Sequence, residues 1–551
     1  MLWMAVLVLV VSLLAAIYIL HYVQYPMPLW HGSIFKVLLF RQDLAGLALI
    51  VAIAMLACIP ATHRPALAFV EAIGRRPWTG AAVVFVALCA GTLLAAQNHA
   101  LAGDEHLTLM QSRIFAEGRL TGEVPPNLMP WLVADTYRYR WIMLNPETGD
   151  LVSIYWPGFA LVLAPFTRLG IPWACNPLLA SLALLLMSRL ASRLTQSTQA
   201  GGWAMLLAAG SPAFSGLALS YFPMTAHLLL NLVYAWLLIE RGRRGLVYAG
   251  LVGSFALLLH NPVPHMLYAL PWLVWLGRQP DGRHNLAHLA VGYLPGLVVG
   301  LGWAAFIRNM HGFLFAAPFP SDGEFLNELG NLYWYWQFRS SYMFGVPQDY
   351  AIGGRIGEQV RLWAWAVPGL PILALAGWWL GRRNVHLNLL ALSLVVTIVG
   401  YFFVRFDQGY GWGARYVHPA WGALPILGAM ALVQWPAHLN ARAVRGWAAA
   451  AGAFSLIFAT ALRGWQIHDY IAEHVARRPP HAEGARQFVF IHEDRDYYYD
   501  QDLVQNDPFL REPTVYLLSR GQWWDQEIMH RMYPQAYRVY DGPRGQVWLV
   551  D

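Results

Sequence analysis

A chain of 551 residues that is 57% hydrophobic and only 12% charged, with a mean hydropathy of +0.41, lies outside the composition of a water-soluble globular protein, where about a quarter of residues are charged. A formal net charge of +6 would suit a nucleic-acid binder, but the excess Lys and Arg sits in short connections between apolar runs, where the positive-inside bias puts it. Cys58, Cys89 and Cys175 have no paired spacing, which excludes a disulfide framework and a zinc site.

Apolar runs that can cross a hydrocarbon core of about 30 Å recur at 3–22, 44–60, 81–97, 173–193, 201–218, 222–240, 246–261, 263–277, 289–307, 361–380, 387–404, 417–434 and 447–464. The pattern predicts an all-α polytopic membrane protein of about thirteen transmembrane helices, because helices satisfy their own backbone in lipid and no β-barrel alternation is present. The first run lacks a basic leader and a small-residue cleavage site, so it reads as a span rather than a signal peptide. Residues 1–80 then supply two N-terminal helices ahead of a core at 81–464.

The basic connections Arg75-Arg76, Arg189 with Arg193, Arg241 to Arg244, Arg278 with Arg283, Arg382-Arg383 and Arg442 with Arg445 all fall on one side if the N-terminus is cytoplasmic. Loops 98–155 and 308–360, and the tail after about 465, are then outside. Parity requires an odd number of crossings between 156 and 193. The stretch from Tyr155 to Leu169, ended by Gly170 and Pro172, therefore reads as a partly embedded interfacial helix. In the tail at 465–551, Gln487–Ile491, Thr514–Leu518, Tyr537–Tyr540 and Val547–Val550 read as strands and Trp523–Met532 as a helix, forming a small α/β extracytoplasmic domain.

Two constellations carry chemistry. The first follows the third span on the outer side: Gly103-Asp104-Glu105-His106 opens a stretch to Gly118 in which Leu107, Met110 and Ile114 share one helical face and Asp104, Thr108 and Gln111 another. This predicts an amphipathic helix on the bilayer with Asp104 at its start; the bland reading is that Asp104 only caps it. The second is the outer loop Arg405 to Tyr416, where Gly409, Gly411 and Gly413 permit tight turns and Arg405 and Arg415 flank aromatic residues. Outer arginines run against the positive-inside bias and present a donor fork suited to phosphate oxygens, or they snorkel in an aromatic belt.

Other signals are weaker. His260 and His265 flank a short outer turn and can line a substrate cavity, but no third residue completes a metal site. His227 reads as a hydrogen-bonded helix-packing residue. The aromatic stretch Asn331 to Arg339 suits sugar stacking and a headgroup belt equally.

Taken in order, Asp104-Glu105, Tyr155-Trp156-Pro157-Gly158 with Ala164-Pro165-Phe166, and Gly413-Ala414-Arg415-Tyr416 with Pro419 resemble the GT-C type membrane glycosyltransferases that use polyprenyl-phosphate-linked sugars, the superfamily of protein O-mannosyltransferases and the aminoarabinose transferase. The resemblance spans roughly residues 81–464 plus the outer tail. It implies a bacterial inner-membrane enzyme that inverts a sugar during transfer from a polyprenyl-phosphate donor to a lipid, glycan or protein acceptor of the envelope on the outer, periplasmic face. It further implies that Asp104 is the general base and that Glu105 orients or shares that role. Arg415, with Arg405, would stabilise the departing phosphate, and Tyr416, Tyr155 and His260 would contribute to substrate binding. No cofactor is assigned, no metal ligands are named, and a divalent cation is left open. Trp156-Pro157 stands where a Pro-Pro pair is common, and two spans precede the core.

Two other readings compete. A lipid or sugar transporter or flippase predicts paired halves with polar midplane sites, whereas the polar residues here gather in outer loops. A catalytically silent membrane scaffold would make Asp104 and Arg415 structural.

Overall fold

The computed structural model describes residues 2–24, 33–134, 137, 141–240, 242–310, 344–347, 349–482, 484–493 and 500–550. Most of the predicted outer loop 308–360, including the aromatic stretch Asn331 to Arg339, lies outside the described residues, as does Arg241. The chain divides into two compact units. The first comprises Met1–Asn98, Trp173–Val298 and Ser340–Ile467, and the second His99–Pro172, Val299–Arg339 and His468–Asp551.

The first unit is helical. Among the described residues of the chain, six helices are long and apolar enough to cross a membrane: Leu2–Gln24, Ile34–Leu56, Pro77–Leu94, Pro172–Thr195, Gly282–Ile307 and Ala441–Val475. The chain is a multi-pass membrane protein. Met224–Glu240 and Val385–Tyr401, with 17 residues each, extend about 26 Å and come close to spanning.

Several predicted spans are interrupted, for a local reason each time. The run 201–218 breaks at Gly210 into Thr198–Ala209 and Pro212–Ala218, since a proline has no N–H to continue the ladder and fits the first turn of a new helix. The run 361–380 breaks at Gly369, whose φ is +78°, before Leu370–Leu380. Small residues set the closest approaches, as expected where lipid offers no hydrophobic drive between helices: a Cβ on Gly377 would come within 2.7 Å of the Leu427 carbonyl carbon, and one on Gly250 within 2.8 Å of Gly292 Cα.

The second unit holds the helix Gly103–Ala116 and two sheets. The smaller sheet runs β1 (Gly122–Glu123), β3 (Asp150–Ser153), β2 (Ile142–Leu144), all antiparallel. The larger has the order β5 (Thr514–Leu518), β4 (Gln487–Ile491), β7 (Gly545–Leu549), β6 (Tyr537–Gly542), with β4 parallel to β5 and the other pairs antiparallel. The helix Gln522–Met532 lies between β5 and β6 in the chain. These are the strands and the helix that the sequence of the tail predicts. The central strand β4 is buried throughout: Phe488 and Phe490 enter one core, while Val489 and Ile491 enter another with Leu503 and Val547, as a strand covered on both faces requires.

The helix Gly103–Ala116 departs from its sequence reading. Leu107, Met110 and Ile114 do share a face, but that face is buried in protein with Phe488, Leu517, Met529 and Trp548 rather than laid on lipid. Periodicity identifies an apolar stripe; the strands that cover it lie hundreds of residues away. The following helix Gly158–Arg168 has 11 residues, about 16 Å and too short to cross a bilayer, in keeping with a partly embedded element.

Candidate active site

In the second unit, Asp104 occupies the first turn of its helix. The N-cap position is Ala102, and no side chain caps it, so the bland capping role for Asp104 does not apply. Instead its Oδ1 accepts a hydrogen bond from the hydroxyl of Tyr155. The half-buried carboxylate sits where unsatisfied N–H groups and the positive end of the helix dipole favour its ionised form.

Tyr155 is held on several sides. Its N–H donates to Ser153 Oγ at 3.3 Å, and Ser153 N–H donates to Gln111 Oε1 at 3.0 Å, which ties β3 to the acidic helix. Trp303 Nε1 donates to the Tyr155 carbonyl at 2.9 Å, and the Trp141 ring lies 5.7 Å away. A hydroxyl pair, Ser112 and Thr167 at 2.8 Å, joins the acidic helix to Gly158–Arg168.

Glu105, only 2% exposed, accepts the Leu101 N–H through Oε2 at 3.2 Å, which braces the backbone just ahead of the helix. Two residues of this neighbourhood escaped the sequence reading. Asp502, also buried, accepts a hydrogen bond from the Tyr137 hydroxyl and lies against Gly103, where a Cβ would stand 3.3 Å from its Oδ1. Burial, together with the charges of Asp104 and Glu105, pushes the Asp502 carboxyl up to about 7, against the pull of the Tyr137 hydroxyl. His106 is driven down to about 3 by burial and by the nearby Arg113 and Arg478 charges, so it is neutral.

A second centre lies in the first unit. Gly409, Gly411 and Gly413 have φ of +58°, +130° and +71°, the left-handed conformations their spacing predicted. They fold the loop so that Gln408 serves as its hub. Gln408 Oε1 accepts the Arg415 N–H at 2.9 Å, its carbonyl accepts Arg415 Nη2 at 2.6 Å, and its Nε2 donates to the Gly413 carbonyl at 2.8 Å. The Arg415 guanidinium, 7% exposed overall, stacks 4.5 Å from the Phe222 ring and 5.4 Å from the Tyr416 ring.

Arg355 was missed by the sequence reading and lies over the same Tyr416 ring at 5.0 Å. One of its nitrogens pairs with Glu358; Nε and Nη2 are buried and have no hydrogen-bond partner among the described residues. Around this ring the guanidiniums of Arg415 and Arg355 face the carboxylates of Glu358 and Asp407, and the unused Arg355 N–H donors are suited to take an anion. Tyr416 donates to the Asp407 carbonyl at 3.2 Å and stacks on Tyr401 at 4.6 Å.

Arg405, by contrast, is exposed and lies against Gly345. His260 is buried in the turn before Val263–Gly277. His265 links helices, with Nδ1 2.8 Å from Asn231 Oδ1 and Nε2 2.7 Å from the Tyr293 hydroxyl. His227 is buried, and among the described residues neither ring nitrogen has a hydrogen-bond partner, so within them it packs without the predicted bond. Among the described residues, no three His, Cys, Asp or Glu side chains group to hold a metal. The structure thus brings Asp104 to Tyr155 in one unit and Arg415 to Tyr416 in the other.

Neither a family model nor a curated protein sequence matches the chain. Among solved structures, the chain is similar to ArnT from Cupriavidus metallidurans bound to undecaprenyl phosphate, at 15% identity and a TM-score of 0.49, over 85% of this chain and 98% of that one. It is likewise similar to ArnT from Cupriavidus metallidurans in the apo state, at 15% identity and a TM-score of 0.48, over 86% and 98%.

Proposed function

We propose that the chain is a GT-C type membrane glycosyltransferase that moves a sugar, with inversion, from a polyprenyl-phosphate donor to an envelope acceptor at the periplasmic face of a bacterial inner membrane. The observation that carries this reading is the Tyr155–Asp104 pair at the start of a helix outside the spans. It supplies a carboxylate suited to removing a proton, held in one orientation by a hydroxyl donor. The order of the sequence motifs adds to it.

In this reaction the acceptor hydroxyl attacks the anomeric carbon while its proton passes to Asp104, and the bond from that carbon to the phosphate oxygen breaks, the oxygen keeping the electron pair. A lipid phosphate leaves as a stable anion and needs no proton. It needs positive charge, which Arg415 and Arg355 supply in a buried setting where such charge acts strongly. Glu105 serves the backbone of the helix rather than the proton transfer.

The test is transfer from a polyprenyl-phosphate-linked sugar by the purified, lipid-reconstituted protein. Asp104→Asn should abolish it while leaving yield and melting unchanged, and full turnover in that variant would remove the assignment of Asp104 as base.

A further inference from the structure

Asp502 stands 398 positions from Asp104 in the chain, yet it lies against the same helix start. Its carboxylate accepts a hydrogen bond from the hydroxyl of Tyr137, and a Cβ on Gly103, the residue immediately before Asp104, would stand 3.3 Å from its Oδ1. Each of the two aspartates is therefore held by one tyrosine hydroxyl, Asp104 by Tyr155 and Asp502 by Tyr137. Among the described residues, the charged and titratable groups around Asp502 are Asp104 and Glu105 on the helix, Tyr137 opposite, and His106 and Asp507, which border the same cavity of about 40 Å³. Arg477 is committed to Asp500 at 2.6 Å. Apolar side chains of Met110, Ile142 and Leu151 also line that cavity, so repulsion among the carboxylates is poorly screened.

Resting on the transferase reading, we propose that Asp502 is a positioning residue that sets the basicity of Asp104 through their shared helix start. While Asp502 holds a proton, Asp104 bears its charge in the ionised form with little cost. When Asp502 ionises, the added negative charge makes Asp104 hold a proton more strongly and so act as a stronger base. The acidic pair is in effect a trio, and its third member comes from the tail.

The experiment compares wild type with Asp502→Asn, which keeps an acceptor oxygen for the Tyr137 hydroxyl. Transfer by the wild type should rise through an inflection near the Asp502 ionisation at about pH 7. The inflection should vanish in Asp502→Asn, with a few-fold lower rate at alkaline pH; an inflection unchanged in the variant overturns the proposal. Melting supplies a readout independent of transfer. A carboxyl lifted from an ordinary 3.8 to about 7 binds more protons folded than unfolded, so it contributes stability below 3.8 that is lost as pH rises towards 7. The difference in melting midpoint between wild type and Asp502→Asn should therefore fall across that window, and in an Asp104→Asn background the window should move to lower pH. A difference that is flat with pH, or a window that does not move, overturns the coupling. If Asp502→Asn fails to fold, Tyr137→Phe takes its place: loss of the donor should shift the inflection to higher pH, and no shift overturns the proposal. Absence of transfer by the wild type would sink the transferase reading, while the melting comparison would still decide the coupling.

Discussion

The hydroxyl of Tyr155 donates a hydrogen bond to Oδ1 of Asp104 across 51 positions of sequence. This bond orients the carboxylate that the proposed reaction uses as base. Tyr155→Phe keeps the ring and its packing against Trp141 but removes a donor that orients the carboxylate. Transfer should fall by about 10- to 100-fold, less than the loss of about 100-fold or more expected for Asp104→Asn, which removes the base itself. Steady-state kinetics on both variants check this, and a Tyr155→Phe rate equal to wild type would show that the hydroxyl is not needed.

Glu105 and Asp104 are neighbours with different partners. Because it receives the Leu101 N–H and is buried, Glu105→Gln, which retains an acceptor oxygen, should transfer sugar at close to the wild-type rate. Glu105→Ala should lower stability by about 1 kcal/mol, the scale of a lost helix-end acceptor. Melting and turnover of the two variants would settle it; a Gln variant as inactive as Asp104→Asn would return Glu105 to the proton transfer.

Much of this arrangement was legible in the sequence because it is local. Short β-branched and aromatic runs at 487–491 and 514–518 predict strands, and the sheet has them. The glycines at 409, 411 and 413 permit tight turns, and all three have positive φ. Asp104 stands out as an acid at a membrane boundary, and Tyr155 through its motif. What stays illegible is long-range. Asp502 meets Tyr137 across 365 positions, and Arg355 meets the Tyr416 ring from the helix Asp349–Ala364. No periodicity carries such pairings. The acidic helix shows the same limit, for its apolar stripe is evident in the sequence and the strands that cover it are not.

Arg415 and Arg355 should act on the donor. Arg415→Ala removes both a charge and the brace on Gln408, so the donor KM should rise about 10-fold or more, with a smaller change in acceptor KM, in line with the roughly 1.5–3 kcal/mol of a hydrogen bond to a charged group. Arg415→Lys should restore little of it, because an ammonium cannot reproduce the fork that reaches Gln408. Arg355→Met, which fills the volume but leaves Glu358 buried without its partner, should also raise the donor KM. Unchanged donor kinetics in Arg415→Ala and Arg355→Met together would return both arginines to a structural role.

Asp43 offers the most severe structural test. It is fully buried in the helical unit, with Arg361 Nε 3.0 Å from one oxygen and Arg463 Nη2 3.0 Å from the other, and Trp365 Nε1 donates to it at 2.6 Å. Replacing it by Asn leaves two buried guanidiniums without their shared counter-charge, and breaking a buried pair in this way costs about 3–5 kcal/mol. The effect should reach beyond stability. Arg361 also donates through Nη1 to the Gly411 carbonyl at 2.8 Å, so Asp43 helps to anchor the turn that presents Arg415. Asp43→Asn should therefore lower the melting midpoint in detergent and, in the fraction that folds, raise the donor KM in the same direction as Arg415→Ala. The double variant Asp43→Asn with Arg415→Ala should then show less than the sum of the two KM effects, since both act through one loop. Full additivity would mean that the buried ion group stabilises the helices without bearing on the arginine loop.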